Sequence, residues 1–224
     1  MNYFSTVISL LRDRKEFLAE IYDGVGLKTK MAALLISSSC FFAIYGAIIG
    51  SYHSLPQVAS SAIKLPALYL ITLVICLPTL YIFNALFGSK QTIGQHFTYL
   101  LTAVSVIAIL LCGFAPVTLF FLITVNDYSF FLLLNVAIFA LTGIIGVTFL
   151  YQIMKPISDN DGDQGAKVRK NILRFWLVLY GFVGSQLGWT LRPFLGSQGQ
   201  FELFRPREGS FFSGVWNALV SLFS

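Results

Sequence analysis

Chemistry within a membrane needs nucleophiles, bases or metal ligands gathered at one depth, so those residue types are the first to place. Ser37, Ser38 and Ser39 are the densest set of hydroxyls, but no base stands near them in the sequence, and helix packing is their plainer use. Cys40, Cys76 and Cys112 lie far apart, each inside an apolar run, where a cysteine acts as a small buried hydrophobe. His53 and His96 fall in different segments between apolar runs, expected on opposite sides of a membrane, which separates them as a metal pair. Paired carboxylates are missing from the apolar runs altogether. The sequence therefore predicts no catalytic residue, no cofactor-binding residue and no metal ligand, and the chain is not expected to be an enzyme.

The polar residues that do fall inside apolar runs are few. Asn84, Asn135 and Gln186 suit hydrogen bonds between helices, and Arg174, near the end of a run, can reach the phosphates. A proton relay or ion-coupled pump would need more ionisable groups than this. Gly143 and Gly146, and then Gly181, Gly184 and Gly188, open smooth helix faces, expected to serve helix packing or a partner interface. Pro66, Pro78 and Pro116 predict kinks. The least ordinary stretch is Gly188-Trp-Thr-Leu-Arg-Pro-Phe194 together with Phe204-Arg-Pro-Arg-Glu-Gly209. Trp189, Arg192, Pro193, Phe204, Arg205, Arg207 and Glu208 form the candidate recognition motif; Arg192 or Arg205 can pair with Glu202, Glu208 or a lipid phosphate. Asp159-Asn-Asp-Gly-Asp163 resembles the opening of an EF-hand calcium loop. Gln164 stands where that loop needs glycine, however, and Lys170 where it needs glutamate, so a solvated loop is expected.

The elements that must carry these residues follow from composition. Of the 224 residues, 56% are hydrophobic and 11% charged, too apolar for a chain whose whole surface meets water. Five apolar runs, at about 31–52, 65–87, 97–124, 129–154 and 172–191, approach or exceed the roughly 20 residues that cross a bilayer. With the N-terminus inside, the cytoplasmic segments hold Arg12, Arg14, Lys15, Lys28, Lys30, Lys90, Lys155, Lys167, Arg169, Lys170 and Arg174, eleven cations. The other side holds four, Lys64, Arg192, Arg205 and Arg207, as the positive-inside rule requires. Those cations fix topology, and no nucleic-acid motif accompanies the net charge of +5. No cleavable signal peptide is expected, because the first long apolar run starts only at Met31. Residues 3–22 read as an amphipathic helix stopped by Asp23-Gly24 and Gly26; we expect it on the cytoplasmic leaflet, with packing beneath the bundle as the alternative. Phe211, Phe212, Val215, Trp216, Leu219, Leu222 and Phe223 repeat at helical spacing on a segment too short to cross. It suits the outer interface or a partner's groove.

The fold class expected is thus an all-α integral membrane protein, a bundle of five transmembrane helices with amphipathic N- and C-terminal helices. Its parts are a cytoplasmic helix and linker (1–30), a five-helix transmembrane domain (31–191) and an extracytoplasmic tail with an interfacial helix (192–224). Lys64-Leu-Pro through Leu77-Pro-Thr-Leu-Tyr-Ile-Phe-Asn-Ala-Leu-Phe-Gly88, Ala115-Pro116 and the Gly188–Gly209 motif resemble a group of bacterial membrane proteins. These are similar in layout to the Ypt-interacting protein family. The resemblance covers roughly 31–191 and implies five spans, a cytoplasmic N-terminus, an opposite-side C-terminus and a bacterial inner membrane; no role in vesicle traffic is carried over. The N-terminal helix followed by Leu27-Lys-Thr-Lys30 is similar to the helix-plus-LKKT arrangement of the WASP-homology actin-binding module, although topology alone accounts for those cations. Two functions stand. The leading expectation is a non-catalytic membrane subunit or scaffold, surrounded by lipid, that assembles as a homo-oligomer or with other membrane subunits and binds no nucleic acid. The alternative is a small-molecule or lipid transporter or a permease-like subunit, which a polar cavity at mid-membrane depth would favour and a solid bundle would remove.

Overall fold

The computed structural model describes residues 3–52, 55–86, 89–125, 127–160, 166–194, 212–216 and 220, with backbone alone for 3, 4, 155–160, 166, 167 and 169. The described residues are helical almost throughout and include no strand. The elements are α1 (Tyr3–Arg12), α2 (Arg14–Tyr22), α3 (Leu27–Gly50), α4 (Leu55–Leu86), α5 (Ile93–Thr124), α6 (Tyr128–Asn160) and α7 (Ala166–Leu191). Helices α3, α4 and α5 and the Tyr128–Met154 part of α6 are each long and apolar enough to cross a membrane. They also turn large apolar side chains outward, among them Val74, Phe120 and Ile144, a surface that lipid covers at little cost. This is an all-helical membrane protein with four candidate spanning helices.

Side-chain pairings fix the helix directions. Gly46 meets Ser61 and Gly50 meets Gln57, so α3 and α4 are antiparallel. The Ser105 hydroxyl reaches the Leu34 carbonyl at 3.5 Å and Tyr45 reaches Thr118 at 3.1 Å, which makes α3 and α5 parallel. Ile107 packs on Gly146, and Asn135 shares the Tyr45 hydroxyl with Thr118, so α6 opposes α5. The Trp176 indole N–H donates to the Cys76 carbonyl at 2.8 Å while Gly184 and Gly188 lie over Thr72 and Leu68, setting α7 antiparallel to α4. One end of the bundle, the basic end, therefore gathers Lys28, Lys30, Lys90, Lys170 and Arg174 beside α1 and α2. The other, the Arg192 end, carries the α3–α4 and α5–α6 connections.

The tightest seam is α3 against α4. A Cβ added to Gly50 would lie 2.6 Å from the Gln57 carbonyl oxygen, and one on Gly46 would run into the Ser61 carbonyl. Only glycine lets the two backbones come this close, the small-residue packing that replaces hydrophobic burial where the solvent is itself apolar. Around this seam Leu34, Phe42, Ile49, Leu65, Leu73 and Leu101 are fully buried.

The N-terminal segment departs from the leaflet expectation. It is broken at Asp13 (φ −120°, ψ 48°) into two helices that fold against the bundle, burying Val7, Leu10, Phe17 and Ile21. The capping residue pair of α5 holds it there. Thr92 and Gln95 form a capping box, and the same Gln95 amide donates to the Ile21 and Tyr22 carbonyls at 3.2 and 2.6 Å, satisfying the end of α2. Gly24 (φ 76°) and Gly26 (φ 64°) supply the left-handed turn into α3, as the Asp23-Gly24 stop signal predicts. Lys30, the last residue of the LKTK stretch, pairs with Glu20 at 2.7 Å and donates to the Val25 carbonyl at 2.9 Å.

Three further expectations shift. Helix α4 begins at Leu55, so Lys64 is not in an outer loop but nine residues inside a helix, and buried. His96 sits in the first turn of α5, buried, its Nδ1 3.1 Å from the Thr92 carbonyl oxygen. Cys40 is exposed on the outside of α3, whereas Cys76 is buried as expected. Helix α5 continues through Pro116 to Thr124.

Candidate binding cavity

The helices do not close everywhere. At the basic end α6 and α7 are packed by Leu150, Ile153, Met154, Leu173, Trp176 and Leu177, all buried. Towards the Arg192 end the facing positions become Gly143 on α6 and Gly181, Gly184 and Gly188 on α7. Added Cβ atoms at Gly143 and Gly181 would meet nothing within 4 Å. With bulky side chains at one end and none at the other, the two helices form a wedge, and the wedge holds a cavity of about 880 Å³.

The cavity runs between α4, α6 and α7. Leu65, Leu68, Tyr69 and Thr72 come from α4, Leu132, Val136, Phe139, Ile144 and Val147 from α6, and Tyr180, Gly181, Gly184, Ser185, Gly188 and Trp189 from α7. Ile49 and Ile107 form its back wall. Arg192, Pro193 and Phe194 lie at its mouth, and Gly214 and Val215 of the short C-terminal helix (residues 212–216) close over it. Gly214 sits so near Trp189 that a Cβ there would enter the indole ring. Along α7, Tyr180 to Arg192 measures about 18 Å, more than half the roughly 30 Å hydrocarbon core.

The mouth is built by a cluster that sequence reasoning missed. Gln57, Ser61 and Lys64 stand one helical turn apart on a single stripe of α4 and all point at the exit of α7. The Gln57 amide donates to the Pro193 carbonyl at 2.8 Å and to the Phe194 carbonyl at 3.4 Å; the Ser61 hydroxyl donates to Phe194, and the Lys64 ammonium to Pro193 at 3.2 Å. All three side chains are buried, so the turn after α7 is pinned by bonds shielded from water. Arg192, on that turn, lays its guanidinium over the Trp189 ring at 3.6 Å. Three of the seven motif residues, Trp189, Arg192 and Pro193, are thus brought together, while Phe204, Arg205, Arg207 and Glu208 lie outside the described residues. The spacing i, i+4, i+7 was legible in the sequence, but Gln57 to Lys64 looked like a loop.

A second polar group backs the cavity wall. The Tyr45 hydroxyl donates to Asn135 Oδ1 at 2.8 Å and meets the Thr118 hydroxyl at 3.1 Å, joining α3, α5 and α6. Asn135 donates in turn to the Phe131 carbonyl at 2.8 Å. The expectation of an interhelical bond at Asn135 is met, whereas Asn84 bonds within its own helix, to the Leu80 carbonyl. Of the five glycines assigned to packing, Gly146 packs on Ile107 inside the bundle, and Gly143, Gly181, Gly184 and Gly188 line the cavity. The acidic run begins on the last turn of α6 with Asp159 and Asn160; 161–165 lie outside the described residues. The arrangement is a mostly apolar slot with a cation at one end. No protein-family model matches this chain, and no characterised protein and no solved structure match it either.

Proposed function

We propose that this is a five-span, non-catalytic membrane protein of the lipid-transporting or permease-like kind, which takes an apolar chain from the bilayer into the slot between α4, α6 and α7. The N-terminus would be cytoplasmic and the Arg192 end extracytoplasmic, following the charge asymmetry of the connections. The observation that carries this reading is the glycine-walled cavity, whose 880 Å³ falls in the range of ligand sites, about 300–1,000 Å³. A spanning helix 10–12 Å wide and 30 Å long occupies roughly 2,400–3,400 Å³, so the slot suits a lipid tail better than a partner's helix. The glycine faces were one of the supports of the subunit reading, beside the amphipathic end segments and the scarcity of charge in the spans, and four of those five glycines line this slot. A polar solute is disfavoured because few polar groups line the space.

The test is lipid retention. Native mass spectrometry of the full chain in mild detergent should show bound phospholipid surviving detergent exchange. Gly181→Phe, which fills open space without a backbone clash, should release it. Equal retention by the filled variant and the parent would defeat the proposal.

A further inference from the structure

Arg192 is the one charged residue among the described residues that line the cavity, and it stands at the mouth while the interior is mostly apolar. From this we infer that the occupant is an anionic phospholipid, its tail along the Gly181–Gly188 wall and its headgroup held at Arg192; the inference rests on the lipid-binding reading above.

Three features make Arg192 a built headgroup site and not a chance cation. Its guanidinium carbon lies over Trp189, 3.6 Å from the ring centroid, a contact that holds in place a planar fork able to meet phosphate oxygens in pairs. The backbone that carries it is pinned from α4, because Gln57, Ser61 and Lys64 all bond the carbonyls of the next two residues. These bonds also draw the Pro193 and Phe194 carbonyl dipoles toward α4, and the Lys64 ammonium adds a second positive charge behind the same turn. Among the described residues that line the cavity, none carries an acidic side chain. Tyr180 lies at the inner end of the α7 wall, about 18 Å away along the helix, so the tail would lie in the slot at the depth of one leaflet.

The experiment offers the purified full chain an equimolar mixture of phosphatidylglycerol and phosphatidylcholine with identical tails and reads bound species by native mass spectrometry. Both carry phosphate and tail, and only the first carries net negative charge. One well-placed cation near a membrane surface corresponds to roughly a fivefold preference for the anionic lipid. Arg192→Gln should bring the ratio close to one. Arg192→Lys should keep part of the preference, since the charge survives and the planar guanidinium fork does not. Raising sodium chloride should reduce the preference of the unaltered chain, a readout that holds even if Arg192→Gln does not fold. A parent that binds both lipids equally, or a preference untouched by Arg192→Gln or by salt, overturns this inference and leaves the cavity reading standing. Failure of the parent to retain either lipid would sink both.

Discussion

At the scale of single residues, the glycines fall into two kinds that the sequence alone does not separate. Gly46 and Gly50 are backbone contacts, since added Cβ atoms would meet the carbonyls of Ser61 and Gln57. Gly143 and Gly181 face open space. Gly50→Leu should therefore cost about 1–3 kcal/mol by forcing α3 off α4, while Gly143→Leu should leave stability unchanged or raised, because an added Cβ there meets no protein atom within 4 Å. Thermal unfolding in bicelles, followed by circular dichroism, measures both; similar losses at the two positions would contradict the distinction. The spacing Gly46-x-x-x-Gly50 was as legible as Gly184-x-x-x-Gly188, but spacing marks a smooth face and not what lies across it. Whether a neighbour's backbone or a void stands there depends on side chains from another helix, such as Trp176 and Leu177, which prop α6 and α7 apart at one end. Lys64 was hidden for a different reason. Its neighbours Gln57, Ser60 and Ser61 look like loop residues until a partner for their polar atoms is known, and that partner, the Pro193–Phe194 backbone, lies far along the chain.

At the scale of elements, the cores of α3 to α6 were readable because length and apolarity suffice to mark a spanning helix. Their ends were not, since a helix continues past the hydrocarbon edge wherever its backbone can still close hydrogen bonds, as α4 does from Leu55 to Lys64. Amphipathic helices are legible as such and illegible in their placement, because an apolar stripe fits lipid and protein equally. The N-terminal pair settles against the bundle through Leu10, Phe17 and Ile21, yet keeps Ile8 and Leu11 exposed on another face, where the leaflet can still receive them. The C-terminal helix behaves in the same way. Gly214 and Val215 face the cavity while Phe212 and Trp216 point away. The contact at Gly214 has no room for a side chain, so Gly214→Val should lift this helix from Trp189 and open the mouth. A cysteine placed at position 181 would then react with a maleimide several-fold faster in the Gly214→Val background than without it. An unchanged rate would mean that the helix does not cover the slot.

At the scale of the whole molecule the number of spans turns on α7. Its composition is diluted by Gly181, Gly184, Ser185, Gln186, Gly188 and Thr190, so it is less plainly apolar than α3 to α6. Those same residues include the wall of the cavity, and a helix that gives up bulky side chains to line a slot must lose hydropathy while doing so. Its position argues for a span. Trp176 bonds Cys76, Gly184 lies on Thr72 and Gly188 on Leu68, so α7 follows the spanning helix α4 through at least 12 residues, or about 18 Å of depth. On its outer side Phe175 and Val178 are 70% and 71% exposed, and Phe182 is 55% exposed, a surface that water would penalise and lipid would not. On the five-span proposal, a helix so paired and so coated would lie at the depth of its partner. If it crosses, the number of spans is five, and the two ends of the chain lie on opposite sides. A reporter active only outside the cytoplasm should then stay silent when fused after Asp163 and become active when fused after Ser224, with an N-terminal tag shielded from external protease. Activity at both fusion sites, or at neither, would place α7 on one face of the bilayer, move Arg192 away from the extracytoplasmic headgroups, and remove the site that the anionic-lipid inference requires.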